Sequence, residues 1–337
     1  MEEVEQELET EKEVTEELET EKELELEKEG LSKRSGEEWE DERRHRITGT
    51  DVGKVMGQDP YTSRRELVRE KVTGKGRAVD AFGNYLMRLG THCEKLAWTS
   101  YERLFPMNAD TSSYLTQSLL VDETVTSRAG ELTCSKRPHM EMMAGTPDRI
   151  VHYTCVQEVE GRSEQRLVIP SWMRKLVTPW ISEGRIFVDT TYVVELKCRF
   201  WPTIGEALPY TMEEGNQLPV RYWLQLMHYM YVLDLPFGVL YSWTYSGRVS
   251  SFVFHYLPDY YEAAVVLRLV DFHHLVDQAR KKPDLLEDPA FMKLLGFQRG
   301  EKTLLAKEAN AAMRRSLVAF NPEHTQFFPI TYRETFP

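Results

Sequence analysis

Apolar and polar positions along the chain set out an order of elements. After a glutamate-rich start, a polar segment ends at "RRHR" and meets "ITGTDVGKVMG", where Thr50 with Asp51 is expected to cap a helix. "DPYTSRRELVREKVTG" reads as a turn and a helix, opened by Pro60 and stopped by Gly74. Apolar residues at Leu86, Leu89, Leu96, Tyr101 and Leu104 predict one long amphipathic helix. Short alternating segments between Ser118 and Ile150 predict strands, and Thr154 to Asp189 has no clear period. "YVVELKCRF" (192 to 200) is a strand, "PVRYWLQLMHYMYVL" a helix, and "FGVLYSWTY" with "SSFVFHYL" a hairpin around "SGR". Helix is expected again toward the carboxy terminus. Helix, strands, helix, strands is an α/β or α+β order and not a repeat array.

One strand carries an anomaly. Side chains at i and i+2 of a strand share a face, so in "YVVELKCRF" Glu195 and Lys197 lie together, opposite Val194, Leu196 and Cys198. Alone, such a pair is most simply an edge strand showing an ion pair to water. It gains meaning only if other polar residues converge on it. Asp148 follows a proline at the head of an apolar segment, a position that by itself suits a turn. Glu94 lies in the long helix, and Gln225 lies among Trp223, Leu224, Leu226 and Met227, where a buried amide needs hydrogen-bond partners.

Composition narrows the class. The 337 residues, 41% hydrophobic and 11% aromatic, suffice for a sizeable core. Cys93, Cys134, Cys155 and Cys198 include no C-x-x-C pair, so neither a zinc site nor a disulfide framework is suggested. No apolar run is long enough for a membrane helix, and the acidic start is unlike a signal peptide, so an intracellular protein of cytoplasm or nucleus is expected. The net charge of −12 belongs entirely to residues 2–29, which hold 15 Glu against three Lys; the remainder is neutral. The near repeat "ELETEKEVTE", "ELETEKELEL" keeps no coiled-coil period and reads as a low-complexity acidic tail, with its linker covering residues 1–36. From Arg43 to Arg77, ten Lys or Arg face four acids, which suits a polyanionic partner and equally a solvated surface.

Metal-dependent phosphodiester hydrolysis would unify these residues. Two carboxylates at neighbouring strand ends, Asp148 and Glu195, supply the hard oxygen ligands that Mg²⁺ prefers, and a lysine beside them stabilises the attacking hydroxide. The resulting pattern, Pro-Asp, a gap, then Glu-x-Lys, resembles the PD-(D/E)XK nucleases and, within them, the YqaJ-type viral recombinases or lambda-type exonucleases. Five stretches carry the resemblance in order: "WEDERRHRITGTD" (39–51), "RLGTHCEKLA" (88–97), "GTPDRIV" (145–151), "VVELKC" (193–198) and "WLQLMHYMYV" (223–232).

The resemblance implies a restriction-endonuclease-like core over 37–337, with a central mixed sheet flanked by helices. It implies that Asp148, Glu195, the Leu196 carbonyl and Glu94 hold Mg²⁺, with Mn²⁺ as a substitute and two ions in all. Lys197 would be the catalytic lysine and Gln225 its orienting partner. The first stretch resembles a 5′-phosphate pocket in which Arg43 and Thr50 grip the terminal phosphate, beside Arg44 and Arg46. The implied activity is 5′→3′ digestion of DNA duplex ends in viral or phage-type recombination, with a single-strand annealing protein as partner and a homo-oligomeric ring, a trimer, as assembly. Three features depart from the family: the 47-residue gap from Asp148 to Glu195, which reads as an insertion over 154–189; Thr50 where relatives often carry Ser; and an acidic tail and a region beyond about residue 260 that match nothing in it. An endonuclease or DNA/RNA nuclease of the alkaline nuclease type, and an inert nucleic-acid-binding protein on a nuclease fold, stay open as alternatives.

Overall fold

The computed structural model describes residues 37–76, 80–104, 120–129, 132–135, 137–158, 173–182, 185–199, 209–213, 217–244 and 248–325. The acidic tail lies outside these residues, as do 159–172 and 183–184 of the expected insertion. Two compact units divide the chain, Met1–His45 and Arg46–Pro337. The described part of the first is helix α1, Glu37–His45, whose last turn carries Arg43, Arg44 and His45 where cations complement the helix dipole.

The second unit opens with α2, Gly49–Val55, and α3, Arg64–Thr73. Both begin elsewhere than the sequence suggests. Thr48, not Thr50 with Asp51, caps α2: its amide and hydroxyl both donate to Asp51 Oδ2, at 3.0 and 2.9 Å. An acid at the third helical position reaches back to the cap and satisfies two donors at once, which Thr50, one position inside the helix, cannot do. Asp51 is buried, which would raise its pKa, but Lys71 (2.7 Å) and Lys54 (3.4 Å) outweigh this and hold the carboxyl well below its ordinary range. Ser63, not Pro60, opens α3 by a reciprocal pair with Glu66, and Gly74 closes it at φ 70°, a left-handed turn that suits glycine.

The long helix α4 spans Ala81–Leu104. Strands β1 (Leu120–Ala129), β4 (Arg149–Glu158), β5 (Trp180–Ser182), β6 (Arg185–Arg199), β7 (Phe237–Thr244), β8 (Arg248–His255) and β9 (Leu317–Thr325) form one mixed sheet in the order β1-β4-β6-β7-β8-β9, with β5 on β6. β2 (Thr133–Cys134) and β3 (Ala144–Gly145) pair separately. β6 carries β4 antiparallel along one edge and, along the other, β5 at its start and β7 parallel at its end. A parallel step needs a crossover, supplied here by α5, Val220–Leu233. Thr154 and Asp189 face each other across the β4–β6 ladder, so the segment between them starts and ends as one hairpin extension.

After β8 the chain passes Pro258–Tyr260 and a π-helical turn, Tyr261–Val266, into α6 (Leu267–Lys281), then α7 (Pro289–Leu294) and α8 (Glu301–Ser316). β9, which the sequence pattern does not announce, completes the sheet edge; its "LVAFNPEHT" includes Asn and Pro, tolerated only on an edge strand.

Alternation on β6 separates two cores. Val193 faces α5, where Leu226 and Met230 are buried with α2, α6 and α8. Tyr192, Val194 and Leu196 face Cys93, Ala97 and Tyr101 of α4, and hydroxyl pairs Tyr101–Tyr192 (3.2 Å) and Ser100–Tyr241 (2.7 Å) tie that helix to the sheet. Among the described residues no helix is long and apolar enough to cross a membrane.

Candidate active site

Because β6 has neighbours on both sides, Glu195 and Lys197 are not an ion pair on a solvated edge; Glu195 is 2% exposed. Glu195, Lys197 and Arg199 occupy successive same-face positions of β6, and Gln225 and Tyr229 lie one helical turn apart on α5. Lys197 Nζ and Gln225 Nε2 both donate to Glu195 Oε1, the latter at 2.7 Å. Gln225 Nε2 also donates to the Tyr229 hydroxyl at 2.7 Å, so both donors of the amide nitrogen that looked misplaced in an apolar helix are engaged.

Asp148 stands at the head of β4, and the register Arg149↔Val194 sets it beside the middle of β6. Its Oδ2 accepts the Leu196 amide at 2.7 Å. Arg149 donates to the Asp148 carbonyl at 2.7 Å, and its guanidinium lies over Trp98 of α4, 5.2 Å from the ring centroid. The approach to Asp148 is fixed from beneath. His228 Nε2 donates to the Ala144 carbonyl (3.0 Å) while Nδ1 accepts from the Tyr261 hydroxyl (2.7 Å), and burial lowers its pKa to about 4, so the ring is neutral. Tyr229 packs so closely that a Cβ on Gly145 or Gly49 would come within 2.8 or 2.5 Å of its ring, which is why these two positions are glycine.

The carboxyl groups disturb one another. Burial, then the charge of Asp148, pushes the Glu195 pKa up to about 8; burial, then Asp148, pushes Glu94 up to about 7. Asp148 is raised too, by removal from water. Burial would lower the Lys197 pKa, yet Glu195 and Asp148 together raise it above its ordinary value, so the side chain stays a cation. Glu94, Asp148 and Glu195 form a cluster of hard oxygen donors whose combined charge one lysine does not balance.

Glu195 Oε2 is buried with no hydrogen-bond partner. An orphaned carboxylate oxygen in such a cluster is what a dication would satisfy, and the donor set fits Mg²⁺ or Mn²⁺. Among the described residues no three acids, histidines or cysteines stand gathered as a ready ligand set, since Asp148 is turned onto the Leu196 amide and Glu195 onto Lys197 and Gln225.

Asp148, Glu195, Leu196, Lys197 and Gln225 are therefore brought together by contact, and Glu94 by charge. Arg43 and Arg44 lie on α1 in the first unit, where Arg44 pairs with Asp41. Arg46 and Thr50 lie in the second; Thr50 is exposed, its hydroxyl 3.2 Å from that of Thr48. Reasoning from sequence passed over Arg199, Arg221 and Tyr222. Strand and helix periodicity would have found two of them, since Arg199 is two residues beyond Lys197 and Tyr222 three before Gln225.

Among solved structures the chain is similar to an alkaline exonuclease, LHK-Exo, from Laribacter hongkongensis, and to LHK-Exo in complex with dAMP. Each is 16% identical, covers 74% of this chain and 96% of that chain, and has a TM-score of 0.43. No curated protein sequence matches. The model of the YqaJ-like viral recombinase domain matches residues 38–236, a span that contains all five stretches noted in the sequence and the whole carboxylate, lysine and glutamine cluster. The chain belongs to the YqaJ-like viral recombinase family.

Proposed function

We propose that this protein is a divalent-metal-dependent deoxyribonuclease that digests linear duplex DNA from a 5′ end. The observation that supports it most is the convergence of Asp148, Glu195, Lys197 and Gln225 on one strand face, with Glu195 Oε2 buried and unpartnered. Asp148, Glu195, the Leu196 carbonyl and Glu94 would hold one or two Mg²⁺ ions, which polarise the phosphate and lower the pKa of a bound water. Lys197, kept charged by its acidic neighbours, stabilises the negative charge that develops on the oxygens in flight and does not act as a base. Gln225 fixes the Glu195 carboxylate through Oε1 and leaves Oε2 for a ligand, while Tyr229 fixes Gln225.

The 5′→3′ direction is the finer part of this reading and rests on Arg43 and Thr50. An annealing protein that takes up the exposed strand, and a homo-oligomeric ring around the duplex, complete it. Purified protein incubated with Mg²⁺ and linear duplexes bearing 5′-phosphate or 5′-hydroxyl, beside a closed circle, tests the whole. Loss of linear DNA alone is expected, faster from the phosphorylated end; cutting of the circle would make the protein an endonuclease. Binding of either DNA without any cutting would sink the nuclease reading. Arg43→Ala and Thr50→Val, tested separately, should each reduce the preference for 5′-phosphate, whereas Arg44→Ala should weaken both ends equally.

A further inference from the structure

The two periodic rows that build the site continue past it. On β6 the row Glu195, Lys197 ends in Arg199, and on α5 the row Tyr229, Gln225 runs back to Tyr222. There the side chains alternate between cation and ring. Lys197 Nζ lies 4.8 Å from the Tyr222 centroid, and the Arg221 guanidinium lies 4.5 Å from it while donating to the Tyr222 hydroxyl at 3.1 Å. Tyr210 leans on Tyr222 with centroids 5.7 Å apart at 57°, and Arg199 covers Tyr210 at 4.1 Å. On the far side Arg221 reaches to 5.8 Å from the ring of Tyr61, which is 68% exposed.

We propose that Arg199, Tyr210, Tyr222, Arg221 and Tyr61 form a subsite for one single strand of nucleic acid, the arginines holding phosphates and the exposed ring of Tyr61 stacking on an unpaired base. The subsite lies beside the catalytic cluster and rests on the nuclease reading of that cluster. Three carboxyl groups repel a polyanion, so the strand must be gripped by cations next to them, and this ladder supplies those cations. Among the described residues Arg221 pairs only with rings and a phenol, which leaves its charge for a phosphate. Its field and that of Lys197 outweigh burial and lower the Tyr222 pKa, a sign of net positive potential at the hub.

The supports are rigid. Tyr210 is pinned by its amide to Ser242 Oγ (3.1 Å) and by its carbonyl to Ser250 Oγ (2.6 Å), and the Tyr61 loop is held by Asp59 Oδ1, which accepts the Tyr61 and Thr62 amides at 2.8 Å each. An exposed aromatic ring on an ordered loop next to arginines is a stacking platform, which a paired duplex cannot use and an unpaired base can.

The test measures binding of a short labelled single strand, and of the same sequence as a blunt duplex, to full-length Asp148→Asn protein in EDTA, where no cutting is expected. Adding Tyr61→Ala should weaken single-strand binding about 10-fold and leave the duplex nearly unchanged, while Tyr61→Phe keeps both. Adding Arg221→Gln should reduce the salt slope for the single strand by about 0.7. A single abasic site moved along the strand should at one position reproduce the Tyr61→Ala loss, with no further loss when combined with that variant. If Tyr61→Ala leaves single-strand binding intact, weakens both DNAs alike, or adds to every abasic site, the subsite is refuted. Should the binding pattern hold while native protein cuts no DNA, the subsite stands and the nuclease reading falls. Should native protein cut DNA while Tyr61→Ala binds normally, the reverse follows.

Discussion

Glu195 has a pKa of about 8 in the fold against about 4.3 in a free chain, so it keeps its proton after the unfolded chain has lost one. A folded group that binds its proton more tightly than the unfolded one adds stability at low pH and loses it as pH rises between the two values. Without divalent cation, stability should therefore fall from about pH 4.3 toward pH 8, and Glu195→Gln should flatten that fall and raise the melting temperature at pH 8 in EDTA. The same substitution should reduce Mg²⁺-dependent cleavage by at least about 1,000-fold, the loss expected when several kcal/mol of charge stabilisation disappear. Thermal melts in EDTA at several pH values, with a cleavage assay alongside, check both; a Gln variant melting lower than the parent at pH 8 would contradict the cluster as described. The pairing of Glu195 with Lys197 was legible from residue spacing alone. Its burial was not, since burial comes from β4 and β7 on either side.

Elements hold the site through tight contacts around α5. Gly145 of β3 and Gly49 of α2 both face the Tyr229 ring, and Tyr229 holds Gln225. Gly145→Ala would force that ring aside, so it should destabilise the protein by about 1–3 kcal/mol and also lower turnover, because Gln225 loses its anchor. Urea denaturation beside steady-state kinetics decides this; a variant of normal stability and normal turnover would show that Tyr229 does not transmit position. Asp51 acts on another element. Its carboxyl, held low by Lys71 and Lys54, contributes stability above its unfolded pKa that is lost as pH falls toward the lower folded value. Asp51→Asn should cost about 3 kcal/mol near neutrality, a typical penalty for breaking a buried pair, and should shrink the loss on acidification. Helix α3 was readable from the glycine that closes it and α4 from its apolar period, but the cap of α2 was misplaced by two residues, because Thr48, Thr50 and Asp51 all suit a helix start and only hydrogen-bond geometry selects among them.

At the scale of the whole molecule, charge is divided along the sequence. Residues 2–29 hold 15 Glu and three Lys, and the rest is neutral with a basic stretch from Arg43 to Arg77. A glutamate-rich tail repels phosphates, and salt screens that repulsion over about 10 Å at 0.1 M. Deleting residues 2–30 should therefore strengthen DNA binding modestly, most visibly at low salt, and leave cleavage intact. Fluorescence anisotropy at two salt concentrations tests it; weaker binding after deletion would assign the tail a role in contact.

What the sequence by itself determined is local and periodic. Side-chain alternation put Glu195 with Lys197, the apolar stripe made α4, and five ordered stretches carried the family, because these signals depend on near neighbours in the chain. Tertiary structure alone decided how Asp148 meets Leu196 across 48 residues, that Glu195 Oε2 is orphaned, and that Arg199, Tyr222 and Tyr61 join one ladder of cations and rings, since each depends on strand register and helix docking. It also decided that the chain ends its described part as strand β9, for Leu317–Thr325 has little strand character until β8 offers an edge to pair with. Local patterns name the chemistry in a chain, but which groups meet is set by long-range pairing and burial, which no short window of residues contains.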